Sequence, residues 1–551
     1  MTLTLRRRGS IGSRTRRRRR KLSKSETAKY EALSPFELKN VLIKKAEGHN
    51  PGRMMNAGRG NPNFFNTFVR IVAGRLQIAC TEASTPFRKD LALYPNENTM
   101  DFARKMKEIS YDWPADQRDF LMNYVDYLSR AARKNGLGPD AIVHDLFISA
   151  LGTFYPSPPQ IQPHLNLVAQ DFMFDLVGAK ANKSLKPSDF EYFATEGAAA
   201  GILYVFNTLR ANYILTPGDT IAVVVPIFSP YLEMPYLKGP EGYNLNIVEL
   251  RSTPETDYGL PQSEINKLLD PKIKALFMVN PANPGAFSLS KQDIDAIGNI
   301  VNTKRQDLVV LSDNVYAPFA DKYHSFMTSC PRNTIEVFSL SKFFGTTGCR
   351  LGIAMVAKNN RFLDIIKKLP AAKQNALSKR YDIASMKPRD LSFMERLVMD
   401  SRQVAEAHVG GLSTPQQVMI GMMFFYYLHD TRRTYTNEIK RELRERIELM
   451  YDKLGLELDT SPEATNYYNL IDLLEVARSI GGEKAVEKFK KRSNYLDYLF
   501  RLASEYHIVL LPGAGFGANQ WRVRVSLANL PKEDYGTIGT SVRKCVQSFI
   551  R

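Results

Sequence analysis

Between residues 220 and 357 the chain returns five times to a short, continuous apolar run rich in β-branched residues: "TIAVVVP" (220–226), "IKALFMVN" (273–280), "DLVVLSDN" (307–314), "TIEVFSLS" (334–341) and "LGIAMVA" (351–357). Runs of this length with no polar alternation are strands buried on both faces. Longer amphipathic stretches separate most of them, so the strands are joined by helical crossovers and the sheet is mainly parallel: an α/β domain. The flanking segments differ in texture. "SPFELKNVLIKKA" (34–46) reads as a docking helix, with Ser34 as cap and Pro35 in the first turn. Amphipathic helices follow over 64–165, among them "FLMNYVDYLSRAARKNG" (120–136), which closes on a glycine suited to a C-cap. After about residue 400 come long helices such as "TYTNEIKRELRERIELMYDKLG" (434–455), a late strand "HIVLLPG" (507–513) and a terminal helix, which together make a smaller α+β lobe. The expected division is a disordered tail at 1–29, an N-terminal arm and helical part of the small domain at 30–165, a large domain at 166–405 and a C-terminal small domain at 406–551.

Several function classes are disfavoured by composition. A chain of 551 residues exceeds what one core supports. Its four cysteines lack CxxC spacing and its seven histidines lack HExxH spacing, so neither a metal site nor a disulfide framework is expected, and a reducing compartment suits it. The longest apolar run, "VMIGMMFFYYL" (418–428), is short of the roughly 18 residues of a membrane helix and reads as a buried helix. A soluble protein is expected. The net charge of +18 is concentrated: residues 1–30 hold nine Arg and three Lys against one Glu. Such a tail buries nothing and suits contact with nucleic acid or anionic lipid, or organellar targeting; an incidental extension is the alternative. The body is only mildly basic, and a cytoplasmic location is expected, with organellar targeting second.

The ends of the strands share a chemistry. "ATEGAAAG" (194–201) is a Gly- and Ala-rich strand-to-helix turn whose free N–H groups make an anion seat. "VNPANPGA" (279–286) leaves Asn283 between two prolines after a buried strand, and "LSDNVYAPF" (311–319) leaves Asp313 and Tyr316 after another. "SLSKFFGTTGCRLG" (339–352) then offers Ser339, Lys342 and Arg350. A lysine just past a buried strand end can be desolvated enough to attack a carbonyl, although an ordinary solvated loop lysine fits this stretch alone equally well. Together, these groups in this order are what a phosphorylated pyridine aldehyde needs. "GAGFG" (513–517) leads into another strand without a helix, which argues against a dinucleotide loop.

The patterns N-P-x-N-P (Asn280 to Pro284), D-x-x-Y (Asp313 to Tyr316) and S-x-S-K-x-x-G-x-x-G-x-R (Ser339 to Arg350) resemble those of fold-type I pyridoxal phosphate enzymes of the aspartate aminotransferase family. More narrowly, "LSPFELK" (33–39), "NAGRGNPNF" (56–64), "YPSPP" (155–159), "FSPYLEMP" (228–235), "GLSTPQQV" (411–418), "LLPGAGFG" (510–517) and "SLANL" (526–530) are similar to the aspartate 4-decarboxylase branch. The resemblance implies a large domain with a mainly parallel seven-stranded sheet beside a smaller α+β domain, pyridoxal 5′-phosphate as cofactor, L-aspartate and 2-oxo acids as substrates, and a homodimer or higher oligomer with active sites at the subunit interface. It implies C4 decarboxylation of aspartate to alanine with accompanying amino transfer; an aminotransferase without decarboxylation is the alternative. Lys342 would carry the cofactor and move the proton at the substrate Cα. Asp313 would face the pyridine nitrogen, Asn283 and Tyr316 the ring oxygen, and Phe228 the ring face. Gly197, Ala198, Ser339 and Arg350 would hold the phosphate, with Tyr155 reaching the neighbouring subunit's. Arg524 would clamp the α-carboxylate and Arg59 the distal one. Two departures stand out: Ala199 where close relatives carry Thr, and Cys349 where Trp is common.

Overall fold

The computed structural model describes residues 22–48, 54–93, 101–237, 242–253, 258–407, 409–458 and 460–551. Its centre is a seven-stranded sheet built from β1 (Phe190–Thr195), β2 (Thr220–Val225), β3 (Asn246–Arg251), β4 (Ile273–Val279), β5 (Val309–Asp313), β6 (Thr334–Ser339) and β7 (Gly352–Ala357). The spatial order is β1-β7-β6-β5-β4-β2-β3. Only β7 runs against the others, pairing antiparallel with β1 and β6. Every residue of β5, β6 and β7 is buried, as the unbroken apolar runs require. Because β1, β4, β5 and β6 run the same way, their carboxyl ends open on one edge, the crevice where open α/β sheets bind ligands. The register fixes what meets there: Val279 lies beside Asp313, Asp313 beside Val337, and Gly352 beside both Ser339 and Thr195.

A second sheet, antiparallel, joins β8 (Tyr468–Asp472), β9 (Leu511–Pro512) and β10 (Arg522–Ser526), with β10 central. The helices Thr434–Leu454 and Lys532–Ile550, and the helical stretch Leu473–Arg492 broken at Gly481 and Gly482, pack with it as the smaller α+β part. "HIVLLPG" supplies two short strands rather than one: Ile508–Val509 pairs parallel with Met55–Asn56, and Leu511–Pro512 joins β10. The docking helix is Pro35–Glu47, capped by Ser34 through the Glu37 N–H, and it lies along Tyr495–Tyr506. By contrast, the helices Thr67–Glu82, Ala115–Lys134 and Pro139–Leu151, expected with the small domain, pack against Pro163–Leu176 and Thr414–His429. These two carry the Phe172 and Phe424 rings that stack at 3.8 Å and meet Phe338 of β6, so the N-terminal helices build onto the large sheet.

The basic tail also needs correction. Residues 1–21 lie outside those described, but Lys24–Glu31 is a helix, opened by a capping box between Ser23 and Glu26. Leu22 N–H donates to Asp497 at 2.9 Å and Tyr30 packs on Phe500 at 4.7 Å, so a cap and one aromatic anchor order the end of a stretch that its charge alone marks as disordered. Among the described residues no helix is long and apolar enough to cross a membrane, and no cluster of three metal-ligating side chains occurs. The four cysteines are free.

Candidate active site

A cavity of about 340 Å³ opens at the carboxyl edge of the large sheet, closed on its other side by Phe36 of the docking helix, by Gly60 and Asn61, and by Tyr468 and Arg524 of the small sheet. Asp313, the last residue of β5, is 4% exposed; its carboxylate accepts from Tyr231 O–H at 2.8 Å and Val315 N–H at 3.1 Å. Burial pushes its pKa up to about 6, against the pull of those two hydrogen bonds and of the Lys342 charge. A buried acid so raised wants a cationic donor in the cavity.

Asn283 sits after β4, giving its amide N–H to Tyr316 Oη at 3.3 Å and accepting from Arg524 Nη1 at 3.2 Å. Tyr316 in turn donates to Tyr468 Oη at 3.4 Å. Lys342, just past β6, donates from Nζ to the Gly60 carbonyl at 2.9 Å. Phe228 stands edge-on to Tyr231 and Phe36, with centroids 5.2 and 5.7 Å away, at the rim.

Below these groups lies a cup. Gly197 has φ of +87° and precedes the helix Ala198–Ala211, which no side chain caps, so its first N–H groups face the cavity. A methyl group on Gly197 would come within 2.8 Å of Arg350 Nη2, so glycine is required both by the backbone and by the guanidinium lying on it. Ser339 Oγ donates to Ser341 Oγ at 3.0 Å, and Ser341, Thr347 and Ala199 complete the wall. Ala199 brings no hydroxyl there. Cys349 is half-buried, its carbonyl held by Gln416 Nε2 at 2.8 Å.

Arg524, in β10, is 1% exposed. Its guanidinium donates to the Gly58 carbonyl at 3.0 Å and to Asn283, lies 4.4 Å from the Tyr468 ring centroid and 4.8 Å from that of Phe516, and leaves Nε without a partner. Among the described residues no carboxylate pairs with it, so its buried charge is uncompensated.

The family sequence pattern described as aminotransferase class I and II matches residues 157–538. The chain belongs to that family. This aminotransferase is 37% identical over 515 residues, 93% of its length and 95% of the other's, to a bifunctional aspartate aminotransferase and L-aspartate beta-decarboxylase of a Pseudomonas species. It is 30% identical to the aspartate aminotransferase of Sulfolobus acidocaldarius over a third of its own length (33%) and 43% of that chain. A double mutant of Thermus thermophilus aspartate aminotransferase superimposes with a TM-score of 0.56 at 18% identity, covering 97% of this chain and 99% of that one, which shows the shared fold.

Family members use pyridoxal phosphate, and the residues here fit it: an unpaired buried acid for a ring N–H, an amide and a phenol for a ring oxygen, an amine, and a cup of free N–H groups, hydroxyls and a guanidinium for a phosphate. Of the residues expected at the site, Lys342, Gly197, Ala198, Phe228, Asn283, Asp313, Tyr316, Ser339, Arg350 and Arg524 converge on this cavity. Two do not line it. Arg59 is exposed beside Gly60, although its charge, after burial and Arg524, helps to hold the Lys39 ammonium below its usual range. Tyr155, 71% exposed, borders a separate cavity of about 380 Å³ with His144, Asp145 and Thr414. Phe36, Tyr231, Ser341, Thr347 and Tyr468 join the site unannounced. Phe36, Tyr231, Ser341 and Thr347 lie within motifs already singled out by sequence; Tyr468, in another sheet, has no sequence signal.

Proposed function

We propose that this aminotransferase removes the 4-carboxylate of L-aspartate as CO₂, giving L-alanine, and also exchanges amino groups between aspartate and 2-oxo acids. The near full-length similarity to the bifunctional Pseudomonas enzyme carries this reading, and a buried, unpaired Arg524 suited to a substrate carboxylate supports it. Bound pyridoxal phosphate supplies the electron sink that lets bonds at the substrate's carbons break heterolytically.

On this reading the side chains divide the work, the roles of Arg59 and Tyr155 resting on the sequence resemblance. Lys342 holds the cofactor and moves the proton at Cα. Asp313 keeps the ring nitrogen protonated, Asn283 and Tyr316 bond the ring oxygen, and Phe228 covers the ring face. Gly197, Ala198, Ser339 and Arg350 grip the phosphate, and Tyr155 reaches a partner subunit's phosphate across a homo-oligomer interface. Arg524 takes the α-carboxylate in a bidentate pair, and Arg59 the distal one. Four free cysteines agree with work in the cytoplasm.

The test is product analysis with aspartate as sole substrate and then with 2-oxoglutarate added. Alanine and CO₂ in equal amounts are expected. Oxaloacetate with no CO₂ would make the protein an aminotransferase without decarboxylation.

A further inference from the structure

The decarboxylase reading leaves one proton without a donor. Overall the bond from Cβ to the 4-carboxylate breaks, CO₂ departs, and the electron pair of that bond ends in a new Cβ–H bond. One proton must therefore reach Cβ in each turnover, while Lys342 is occupied with the proton at Cα.

Three phenols face the cavity, apart from the Ser339, Ser341 and Thr347 hydroxyls of the phosphate cup. Tyr231 is committed to Asp313, and Tyr316 donates to Tyr468. Tyr468 accepts that bond, is 3% exposed, and has no acceptor for its own hydrogen among the described residues. A methyl group built on Gly60 would sit 2.7 Å from Tyr468 Oη and 3.4 Å from Lys342 Nζ, so the phenol and the amine flank one point of the cavity wall. The same phenol ring lies under the Arg524 guanidinium. An amino acid with its carboxylate on Arg524 and its amine at Lys342 spans the interval that Tyr468 occupies. Resting on the decarboxylase reading, we infer that Tyr468 is a catalytic residue that delivers the proton to Cβ.

The environment suits an acid that must give up its proton and recover it from solvent. Burial alone pushes the phenol up, but the charges of Lys342 and Arg524 and the hydrogen bond from Tyr316 outweigh it and bring it below the ordinary tyrosine range. Tyr467, also buried close by, is driven the other way, by burial first and then by Tyr468.

Tyr468→Phe keeps the ring and its packing and removes only the hydroxyl. In the holoenzyme given aspartate and 2-oxoglutarate, alanine formation is expected to fall about 10²-fold more than amino exchange, the scale of a lost general acid. In the cofactor-free protein, titration of near-ultraviolet phenolate absorbance should show one tyrosine ionising ahead of the rest in the wild type and none in the variant. Equal losses in the two reactions, unchanged alanine formation, or an unaltered titration would overturn the proposal. A wild-type enzyme that forms no alanine from aspartate would overturn the decarboxylase reading and this proposal with it, whereas equal losses in the variant of an alanine-forming enzyme would sink this proposal alone.

Discussion

Asp313 and Arg524 are opposite charges buried in one cavity, and no ion pair joins them. Each has a measurable consequence. For Asp313 the folded-state pKa, about 6, lies above the ordinary 3.8, so the cofactor-free protein binds this proton more tightly than the unfolded chain does. The resulting cost to stability is absent below about pH 3.8, grows as pH rises, and is complete above about pH 6, where it is about 3 kcal/mol. Asp313→Asn should thus raise the thermal midpoint of the cofactor-free protein at pH 7 but not at pH 4, while weakening cofactor retention; a midpoint gain independent of pH would refute the assignment. For Arg524, truncation to alanine should lower kcat/KM for aspartate and for alanine alike, by about 2–5 kcal/mol, since every α-amino acid presents the carboxylate proposed as its partner. Arg59→Ala should penalise aspartate more than alanine. The ratio of the two losses cancels damage to folding or cofactor occupancy, and a ratio of one for Arg59 would remove it from distal-carboxylate recognition.

At the scale of elements, five strands of the large sheet were legible because they are buried on both faces and stay largely apolar, and because the groups at their ends sit in short Pro- and Gly-marked turns, whereas the edge strand β3 is half-exposed and gave no such run. Other elements were not legible in this way. The strand carrying Tyr468 belongs to a sheet whose partners lie some 40 to 60 residues along the chain, and which side chain it aims at Lys342 depends on how two sheets meet. The N-terminal helices are amphipathic whichever lobe they cover, so periodicity could not say that they build onto the large sheet. Hidden polar links between elements are also silent in sequence. Glu336, in the middle of β6, is fully buried; its carboxylate accepts from Asn314 at 3.1 Å, Tyr323 at 2.6 Å and Ser325 at 2.5 Å, tying the segment after Asp313 back to the sheet. Burial raises its pKa to about 7 against those three hydrogen bonds. Glu336→Gln, which keeps an acceptor oxygen, should be close to neutral near pH 4.5 and stabilising by about 3 kcal/mol above pH 7. Thermal midpoints measured across that range would check it, and a variant destabilised at pH 8 would show that the ionised carboxylate is needed.

For the whole molecule, the open question is whether one chain makes a complete site. Tyr155 is 71% exposed and borders its own cavity, so within its own subunit it touches none of the machinery around Lys342. If it serves the phosphate cup of a partner, a two-fold arrangement places it there reciprocally, each subunit completing the other's site. The arrangement can be tested by mixing two defective chains. Tyr155→Ala should lower cofactor affinity, and Lys342→Ala should abolish turnover. In a hybrid dimer the cavity of the Tyr155→Ala chain keeps its own Lys342 and receives an intact Tyr155 from the Lys342→Ala chain, so one of the two sites is whole. Unfolding and co-refolding equal amounts of the two variants should then restore about a quarter of the wild-type sites, read as aspartate turnover at cofactor concentrations where neither variant alone is active. Folding defects cannot produce this recovery, because each chain is unchanged by mixing except in its choice of partner. Activity that never exceeds the average of the two separate variants would mean that Tyr155 acts, if at all, within its own subunit.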